Sequence, residues 1–252
     1  MHLTLVRSAT LLVDIGGRRF LVDPMLDPVA ARGPVANTAD PRPNPLVGLP
    51  RPAEEVVDGV DAVLVTHLHA DHLDETAAGL LRERRLPVAC QPEDEPALHE
   101  RGIGDLRPVA GAIDLGGVGV ARTRGRHGTG EIGRKMGPVS GFVLGAPGEP
   151  VLYVAGDTIW CDEVDTAMAD HGPDVIVVNA GAARFLHGDP ITMDADDVIA
   201  TARAAPAATI VAVHLEALNH CGLSRADLRA AVDAAGVGDR VRIPADGETL
   251  RS

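Results

Sequence analysis

Three histidines and an aspartate lie within six positions of the segment VLVTHLHADHLDE, residues 63–75. Directly before them, a run of aliphatic and β-branched residues predicts a buried strand. Alternate side chains of an extended segment point the same way, so His67 and His69 project together, as two imidazole ligands of one metal ion require. Asp71 and His72 come after the turn, where they can reach a second ion. An HxH pair alone is weak evidence, but the whole HxHxDH pattern at a strand end predicts a metal centre.

This motif resembles that of the metallo-β-lactamase superfamily, and three further residues match the family pattern in order: His127 in GRHGTG, Asp157 in YVAGDT and His214 in IVAVHLE. The resemblance implies seven ligands, with His67, His69 and His127 on one metal, Asp71, His72 and His214 on the other, and Asp157 bridging both. It also implies a four-layer αββα sandwich of the α/β class, with the metals at one edge. The HADHLD form and the segment PITMDADDV are similar to the lactonase-like group that includes ascorbate-6-phosphate lactonase.

The resemblance implies a dinuclear metal-dependent hydrolase. Two divalent ions about 3.5–4 Å apart share a water, lower its pKa and polarise the carbonyl or phosphoryl group under attack. A metal-bridging hydroxide would then attack a small ester, lactone, amide or phosphoester, without a serine or cysteine nucleophile. Asp71, which can orient the hydroxide, and Asp157, whose charge keeps the cations close, are the expected catalytic residues. Imidazole and carboxylate ligands favour Zn²⁺ and also accept Mn²⁺ or Fe²⁺.

Several polar residues near these ligands are candidates for substrate binding. Arg126, Arg134 and Lys135 flank His127 and can bind a small anionic substrate, because arginine grips phosphate or carboxylate through two hydrogen bonds. The alternative is a solvated loop. Asn179 ends the apolar segment DVIVVNA, where it can donate to an oxyanion, hold a ligand histidine, or only form a turn.

Three polar residues follow the expected ligand His214 closely: Glu216, Asn219 and His220. They can orient the imidazoles that bind metal. His220 can alternatively shuttle a proton. Ordinary polar positions of a helix or turn explain them equally well.

Composition narrows the class of protein. The chain has 252 residues, of which 45% are hydrophobic, enough to fill the core of one domain spanning 1–252. Its formal charge of −13 disfavours long nucleic acids as partners. Without a signal-peptide core or a run of about 18 apolar residues, we expect a cytoplasmic protein with no membrane partner. A small-molecule substrate is the expected partner, and a homo-oligomer stays open.

Segments of strand and helix alternate along the chain in two sections. LTLV, TLLVDI and RRFLVD predict strands, with a hairpin at Gly16–Gly17. Strands are also predicted at DAVLVTH, PVACQ, GVGVARTR, VSGFVLG, PVLYVAG, DVIVVNA and TIVAVH, with helices at 74–85, 162–171, 193–205 and 224–235. Strands followed by helices, twice over, predict two mixed sheets packed face to face with helices outside. Residues 27–53, with seven prolines, predict a functional loop that borders the site.

Three other functions are compatible with the pattern. A phosphodiesterase or nuclease of the same fold is disfavoured by the acidic charge. A diiron redox enzyme of this superfamily has a carboxylate where His69 stands and usually carries a flavin domain. A non-catalytic metal-binding member usually loses ligands, whereas all seven positions are filled here.

Overall fold

The computed structural model describes residues 1–251, which form two seven-stranded sheets. In chain order, and not grouped by sheet, strands one to seven are β1 His2–Arg7, β2 Thr10–Ile15, β3 Arg18–Val22, β4 Ala62–Val65, β5 Val88–Cys90, β6 Leu106–Pro108 and β7 Ala112–Asp114. The others are β8 Gly119–Arg124, β9 Ser140–Gly145, β10 Leu152–Val154, β11 Val175–Asn179, β12 Thr209–Val213, β13 Val241–Arg242 and β14 Thr249–Arg251. The helices are α1 Ala53–Val56, α2 Glu75–Arg84, α3 Glu95–Glu100, α4 Gly130–Met136, α5 Asp162–His171, α6 Ala195–Ala204 and α7 Arg225–Ala234.

Both sheets are mixed. Their strand orders are β14-β1-β2-β3-β4-β5-β6 and β13-β12-β11-β10-β9-β8-β7. Strands β3 to β6 run parallel in the first sheet, and β10 to β13 run parallel in the second. The remaining pairs are antiparallel hairpins and edges.

Alternating side chains of the central strands build the four layers. In β4, Leu64 packs into the core between the sheets, whereas Val63 and Val65 pack outward with α2. In β11, Val177 faces the inner core and Val178 faces the core under α5, α6 and α7. Strands buried on both faces read as continuous apolar runs, as these do. The predicted αββα sandwich is confirmed.

The predicted strands and the four predicted helices are all present. The unpredicted elements are short: β6, β7, β13, β14, α1, α3 and α4. Elements of two to four residues, and the six-residue α3, are too short to show periodicity, and α4 contains Gly130 and Gly133, which weaken the helical pattern.

One edge of the sandwich collects the polar strand ends. Asp23 follows β3, His67 follows β4, Asp157 follows β10, and His214 follows β12. Because β3 and β4 run parallel, as do β10 to β12, their carboxyl ends open on the same side, where open α/β sheets commonly bind ligands.

The proline-rich loop is fastened to this edge by a buried arginine. The Arg7 guanidinium is fully buried and donates to the carbonyls of Met25 (2.7 Å), Asp27 (3.0 Å) and Val47 (3.0 Å). It thereby closes the loop at its two ends. Burial lowers the pKa of Arg7 to about 10, which leaves it charged at neutral pH.

Within residues 1–251, no helix has the length and apolar character needed to cross a membrane.

Candidate metal centre

The expected ligands form two adjacent groups. One contains His67, His69 and His127, and the other contains Asp71, His72, Asp157 and His214. Within each group, one ligand atom from every residue lies within 4.8 Å of the others. The structure therefore brings all seven sequence-predicted ligands together.

Asp157 lies between the two groups. Its Oδ2 is 3.3 Å from His72 Nε2 in one group and 3.5 Å from His127 Nε2 in the other. Its Oδ1 accepts a hydrogen bond of 2.6 Å from Asn179 Nδ2. Since Asn179 fixes one oxygen, the other is held toward both groups, as a bridging ligand requires.

A tight turn after β4 brings the HxHxDH residues back on themselves. The backbone N–H groups of His72 and Leu73 both donate to the His69 carbonyl, at 2.9 and 3.0 Å. His67 Nε2 and His69 Nδ1 consequently face each other at 2.9 Å. Two ring nitrogens so close together, with lone pairs on a shared space, suit a common cation.

Two ring nitrogens of the second group have no hydrogen-bond partner. His72 Nε2 and His214 Nε2 are both buried and make no hydrogen bond, although carboxylate oxygens of Asp157 and Asp71 lie 3.3 and 3.4 Å from them, respectively. A buried polar atom without a partner costs free energy. A metal ion bound by these lone pairs removes that cost, so the residues present fit a metal.

The other nitrogen of each inner imidazole is held by a partner. His72 Nδ1 donates to Asp23 Oδ2 at 2.7 Å, and His127 Nδ1 donates to the Ile191 carbonyl at 2.7 Å. These acceptors fix the tautomer that leaves Nε2 free for a metal.

His67 is oriented in the same way by a short chain of hydroxyl and carboxylate. Its Nδ1 lies 3.0 Å from Thr66 Oγ1, which donates to Asp23 Oδ2 at 2.7 Å. Asp23 thus supports one histidine from each group. His214 Nδ1 faces Cys221 Sγ at 3.4 Å.

Residues 18–215 match the family model described as the β-lactamase superfamily domain. The chain belongs to the metallo-β-lactamase superfamily. It is 37% identical to the UPF0173 protein YddR of Bacillus subtilis (strain 168) over 254 residues, 99% of each chain. A relative in Xanthobacter autotrophicus, 29% identical over 76% of this chain and 75% of its own length, is described as a UPF0173 metal-dependent hydrolase.

Two solved structures are similar along the whole chain. An isothiocyanate hydrolase from Delia radicum gut bacteria has a TM-score of 0.92 at 35% identity, covering 100% of this chain and 99% of that one. A possible metal-dependent hydrolase from Veillonella parvula has a TM-score of 0.95 at 32% identity, covering 99% and 98%. The chain is a metal-dependent hydrolase of the metallo-β-lactamase fold.

Charge is distributed differently in the two groups of this hydrolase. Burial lowers the pKa of His72, but the Asp157 and Asp23 carboxylates outweigh burial and raise that pKa well above its usual value. The pKa of His214 rises for the same reason, chiefly through Asp157. Burial and the neighbouring charge of His72 instead hold the pKa of His67 well below its usual value. The group with two carboxylates therefore holds protons until a metal displaces them, whereas the His67 imidazole is neutral.

The carboxylates of the second group respond in the opposite sense. Burial raises the pKa of Asp157, yet the charges of His72 and His214 outweigh it and leave the pKa well below its usual range. The pKa of Asp71 is likewise depressed by His72 and His214 despite burial. Both carboxylates are ionised and available as ligands.

Glycines allow the backbone to approach two of the ligands. Gly128, next to His127, has φ +89°, and a Cβ there would lie 2.8 Å from Ile191 Cγ2. Gly156, before Asp157, has φ +70°, and a Cβ there would lie 2.5 Å from the Ser140 carbonyl oxygen. A larger residue in place of Gly128 would displace His127, and a larger residue in place of Gly156 would displace Asp157.

A cavity of about 370 Å³ opens beside the metal-binding groups. Its polar lining includes Asp71, His127 and Asp157 from the two groups. Apolar side chains form much of the remaining wall: Pro34, Val35, Met136, Phe185, Ile191 and Leu218. The proline-rich loop contributes to this wall, as the sequence predicted.

The three basic residues around His127 do not line this cavity. Arg126 is about half exposed and pairs with Glu163 of α5 at 2.9 Å, on the outer surface. Lys135 pairs with Glu131 one turn earlier in α4, at 2.7 Å, and Arg134 is exposed on the same helix. Proximity in sequence to His127 did not place these side chains beside the two metal-binding groups.

The residues after His214 have three different surroundings. Glu216 is exposed and pairs with Arg225 at 2.6 Å, so it orients no imidazole. Asn219 is buried against the proline-rich loop: its Oδ1 accepts from Asn44 Nδ2 at 2.7 Å, and its Nδ2 donates to the Asp40 carbonyl at 2.7 Å. His220 lines the cavity, where its buried Nδ1 has no partner.

Asn179 donates to the Asp157 carboxylate, a contact that the sequence did not predict. Two residues of the site were not predicted from the sequence. Asp23 orients the imidazoles, and Arg32, in the proline-rich loop, lines the cavity. For Asp23 a signal existed, since it ends an apolar strand as Asp157 does. For Arg32 there was none beyond its place in the loop.

Proposed function

We propose that the chain is a dinuclear hydrolase whose substrate is a small electrophile held in the 370 Å³ cavity. The observation that carries this proposal is the position of Asp157, with one oxygen 3.3 Å from His72 and 3.5 Å from His127. Two divalent ions, Zn²⁺ being the first choice for these ligands, would activate water and polarise the electrophile when bound.

Different residues of the chain would bind the metal ions, orient the attacking water and hold the substrate. His67, His69 and His127 would hold one ion, Asp71, His72 and His214 the other, and Asp157 both. Of the two carboxylates that line the cavity, Asp71 is the more exposed, at 16% of its side chain against 3% for Asp157. It is therefore placed to orient the attacking water. The apolar wall excludes bulk water and holds the rest of the substrate.

The substrate class that we favour is the isothiocyanate. The support is the similarity along the full chain to an isothiocyanate hydrolase, together with a compact and largely apolar cavity. Hydrolysis of this group adds the oxygen of water to the central carbon, transfers both protons of that water to nitrogen and breaks the carbon–nitrogen bond. The balanced products of R–N=C=S and water are the amine R–NH₂ and carbonyl sulfide.

Lactones and small esters form the second candidate class. The same centre would attack their carbonyl carbon, and the segment PITMDADDV, similar to lactonase-like members, contributes Ile191 to the cavity wall. Phosphodiesters are a weaker candidate, because Arg126, Arg134 and Lys135 lie outside the cavity and provide no cluster of positive charge.

The experiment is elemental analysis followed by a substrate panel. Protein purified without chelator should contain close to two transition-metal ions per chain, and it should hydrolyse isothiocyanates faster than lactones or phosphodiesters. Asp157→Ala should lose metal and lower turnover by orders of magnitude while circular dichroism is unchanged; Asp58→Asn, a surface substitution, is the control. Full activity at near-zero metal content would overturn the dinuclear proposal.

A further inference from the structure

The proline-rich loop brings one positively charged side chain to the cavity. Of the residues that line the cavity, Arg32 is the only lysine or arginine in the part of the chain that the structure describes, residues 1–251. About a quarter of its side chain remains exposed. The other residues of this loop that line the cavity, Gly33, Pro34, Val35 and Asn44, carry no charge.

The Arg32 guanidinium has unused hydrogen-bonding capacity. Its Nε lies 3.2 Å from Asp27 Oδ2, an ion pair whose alignment does not make a hydrogen bond. Both Nε and Nη2 are buried without a hydrogen-bond partner. Guanidinium groups present five N–H donors, and leaving buried donors unmet costs free energy.

The residue is nevertheless held firmly in place. Its backbone exchanges two hydrogen bonds of 2.8 Å with Asn44, one in each direction. Asp27, its ion-pair partner, accepts a hydrogen bond of 2.7 Å from Thr76 Oγ1 in α2. A cation with unmet donors on a fixed backbone is typical of a preorganised binding residue and not of a solvated surface arginine.

We propose that Arg32 binds a carboxylate carried by the substrate while the metal centre acts on the electrophilic carbon. This inference rests on the proposed function and adds a preference for substrates that carry a carboxylate. A guanidinium attracts a carboxylate through its positive charge and donates charge-assisted hydrogen bonds to it. Because the Asp27 carboxylate lies 3.2 Å from this single positive charge, a singly charged carboxylate is repelled less than a doubly charged phosphate.

A matched pair of substrates tests the proposal. Phenyl isothiocyanate and 4-carboxyphenyl isothiocyanate carry the same reacting group and differ in the carboxylate. For the zinc-loaded wild type we expect a preference for the carboxylated member. Arg32→Gln should raise KM for that member by about 10- to 100-fold, the effect of a lost charge-assisted hydrogen bond, with little change for the neutral one. Lys135→Gln, a basic residue outside the cavity, should leave both unchanged.

Direct binding gives a readout that does not require turnover. Calorimetric titration with 4-acetamidobenzoate, on zinc-loaded and on metal-free protein, separates binding at Arg32 from coordination of carboxylate to zinc. Binding to both forms that weakens in Arg32→Gln supports the proposal.

Three results would overturn it: equal effects of Arg32→Gln on both substrates, no preference in the wild type, or probe binding that Arg32→Gln leaves unchanged. If no metal binds and no panel substrate is hydrolysed, the proposed function fails, while the binding titration still decides the role of Arg32.

Discussion

Asp23 Oδ2 lies 2.7 Å from His72 Nδ1, and both side chains are at most 1% exposed. The same carboxylate accepts hydrogen bonds from the backbone N–H and the hydroxyl of Thr66, at 2.8 and 2.7 Å. Because Thr66 in turn contacts His67 Nδ1, one carboxylate orients an imidazole in each metal-binding group. Asp23 therefore couples the end of β3 to both halves of the centre.

Replacing this carboxylate should weaken metal binding without removing a ligand. Asp23→Asn keeps the shape of the side chain but lowers the basicity of His72. We expect metal affinity to fall by about 10- to 100-fold, the usual cost of losing such a partner. Competition with a chromogenic chelator measures the affinity, and Asp58→Asn on the surface is the matched control. Equal affinities in the two variants would show that Asp23 has no such role.

Asn179 should act on the metal centre through Asp157. Asn179→Ala removes the donor 2.6 Å from Asp157 Oδ1 and frees the carboxylate to rotate away from its bridging position. We expect a lower kcat and incomplete metal loading, with KM little changed. Elemental analysis and steady-state kinetics check this, and normal loading with a normal kcat would contradict it.

Asn219, although it is also a buried asparagine, should have a different effect. It binds the proline-rich loop through Asn44 and the Asp40 carbonyl and contacts no ligand. Asn219→Ala should therefore leave metal content unchanged, raise KM and expose the loop. Limited trypsin digestion should cut after Arg32 faster than in the wild type. A variant with reduced metal content and unchanged digestion would contradict this division between the two asparagines.

The local sequence pattern was sufficient to predict that the four HxHxDH residues come together at a strand end. Only six positions of the chain contain His67, His69, Asp71 and His72. A strand end followed by a tight turn brings such residues together in any sheet of this kind. Asp157 and His214 could be assigned because each ends an apolar strand, and the resemblance supplied their roles. The central strands were equally readable, since burial on both faces imposes continuous apolar runs.

The directions of side chains and the contacts between residues distant in the chain could not be predicted from the sequence. Arg126 precedes His127, but its side chain reaches Glu163 on the outer surface, whereas the His127 imidazole lies 3.5 Å from Asp157 in the candidate metal centre. Arg32 lies far from every ligand in sequence, and its position depends on pairing with Asn44. Such contacts depend on the conformation of a proline-rich loop, which has no periodicity.

Metal binding should release protons from the second group. The raised pKa values of His72 and His214 favour the protonated imidazoles in the metal-free chain, and each must lose its proton to bind a metal. The pKa values of His67 and His69 are lowered by burial, so that group should release few protons. Metal affinity should consequently rise with pH, mainly at the second group.

The same pKa shifts determine how the unfolding free energy of the metal-free chain changes with pH. Histidines with a raised folded-state pKa stabilise the fold fully below the unfolded value of about 6.5, and this contribution is lost as pH rises through the folded-state pKa. Asp71 and Asp157, with lowered pKa values, contribute above about 3.8 and lose that contribution as pH falls through their folded-state values. Without metal, the unfolding free energy should therefore decrease on the alkaline side.

Calorimetric zinc titration at pH 7 in two buffers of different ionisation enthalpy counts the released protons. We expect a clear buffer dependence in the wild type that persists in His69→Ala, in which only the first group is damaged. Urea unfolding of the metal-free chain at rising pH checks the stability. Zinc binding with no buffer dependence would show that His72 and His214 are neutral before the metal arrives, and the ion-paired description of that group would then be abandoned.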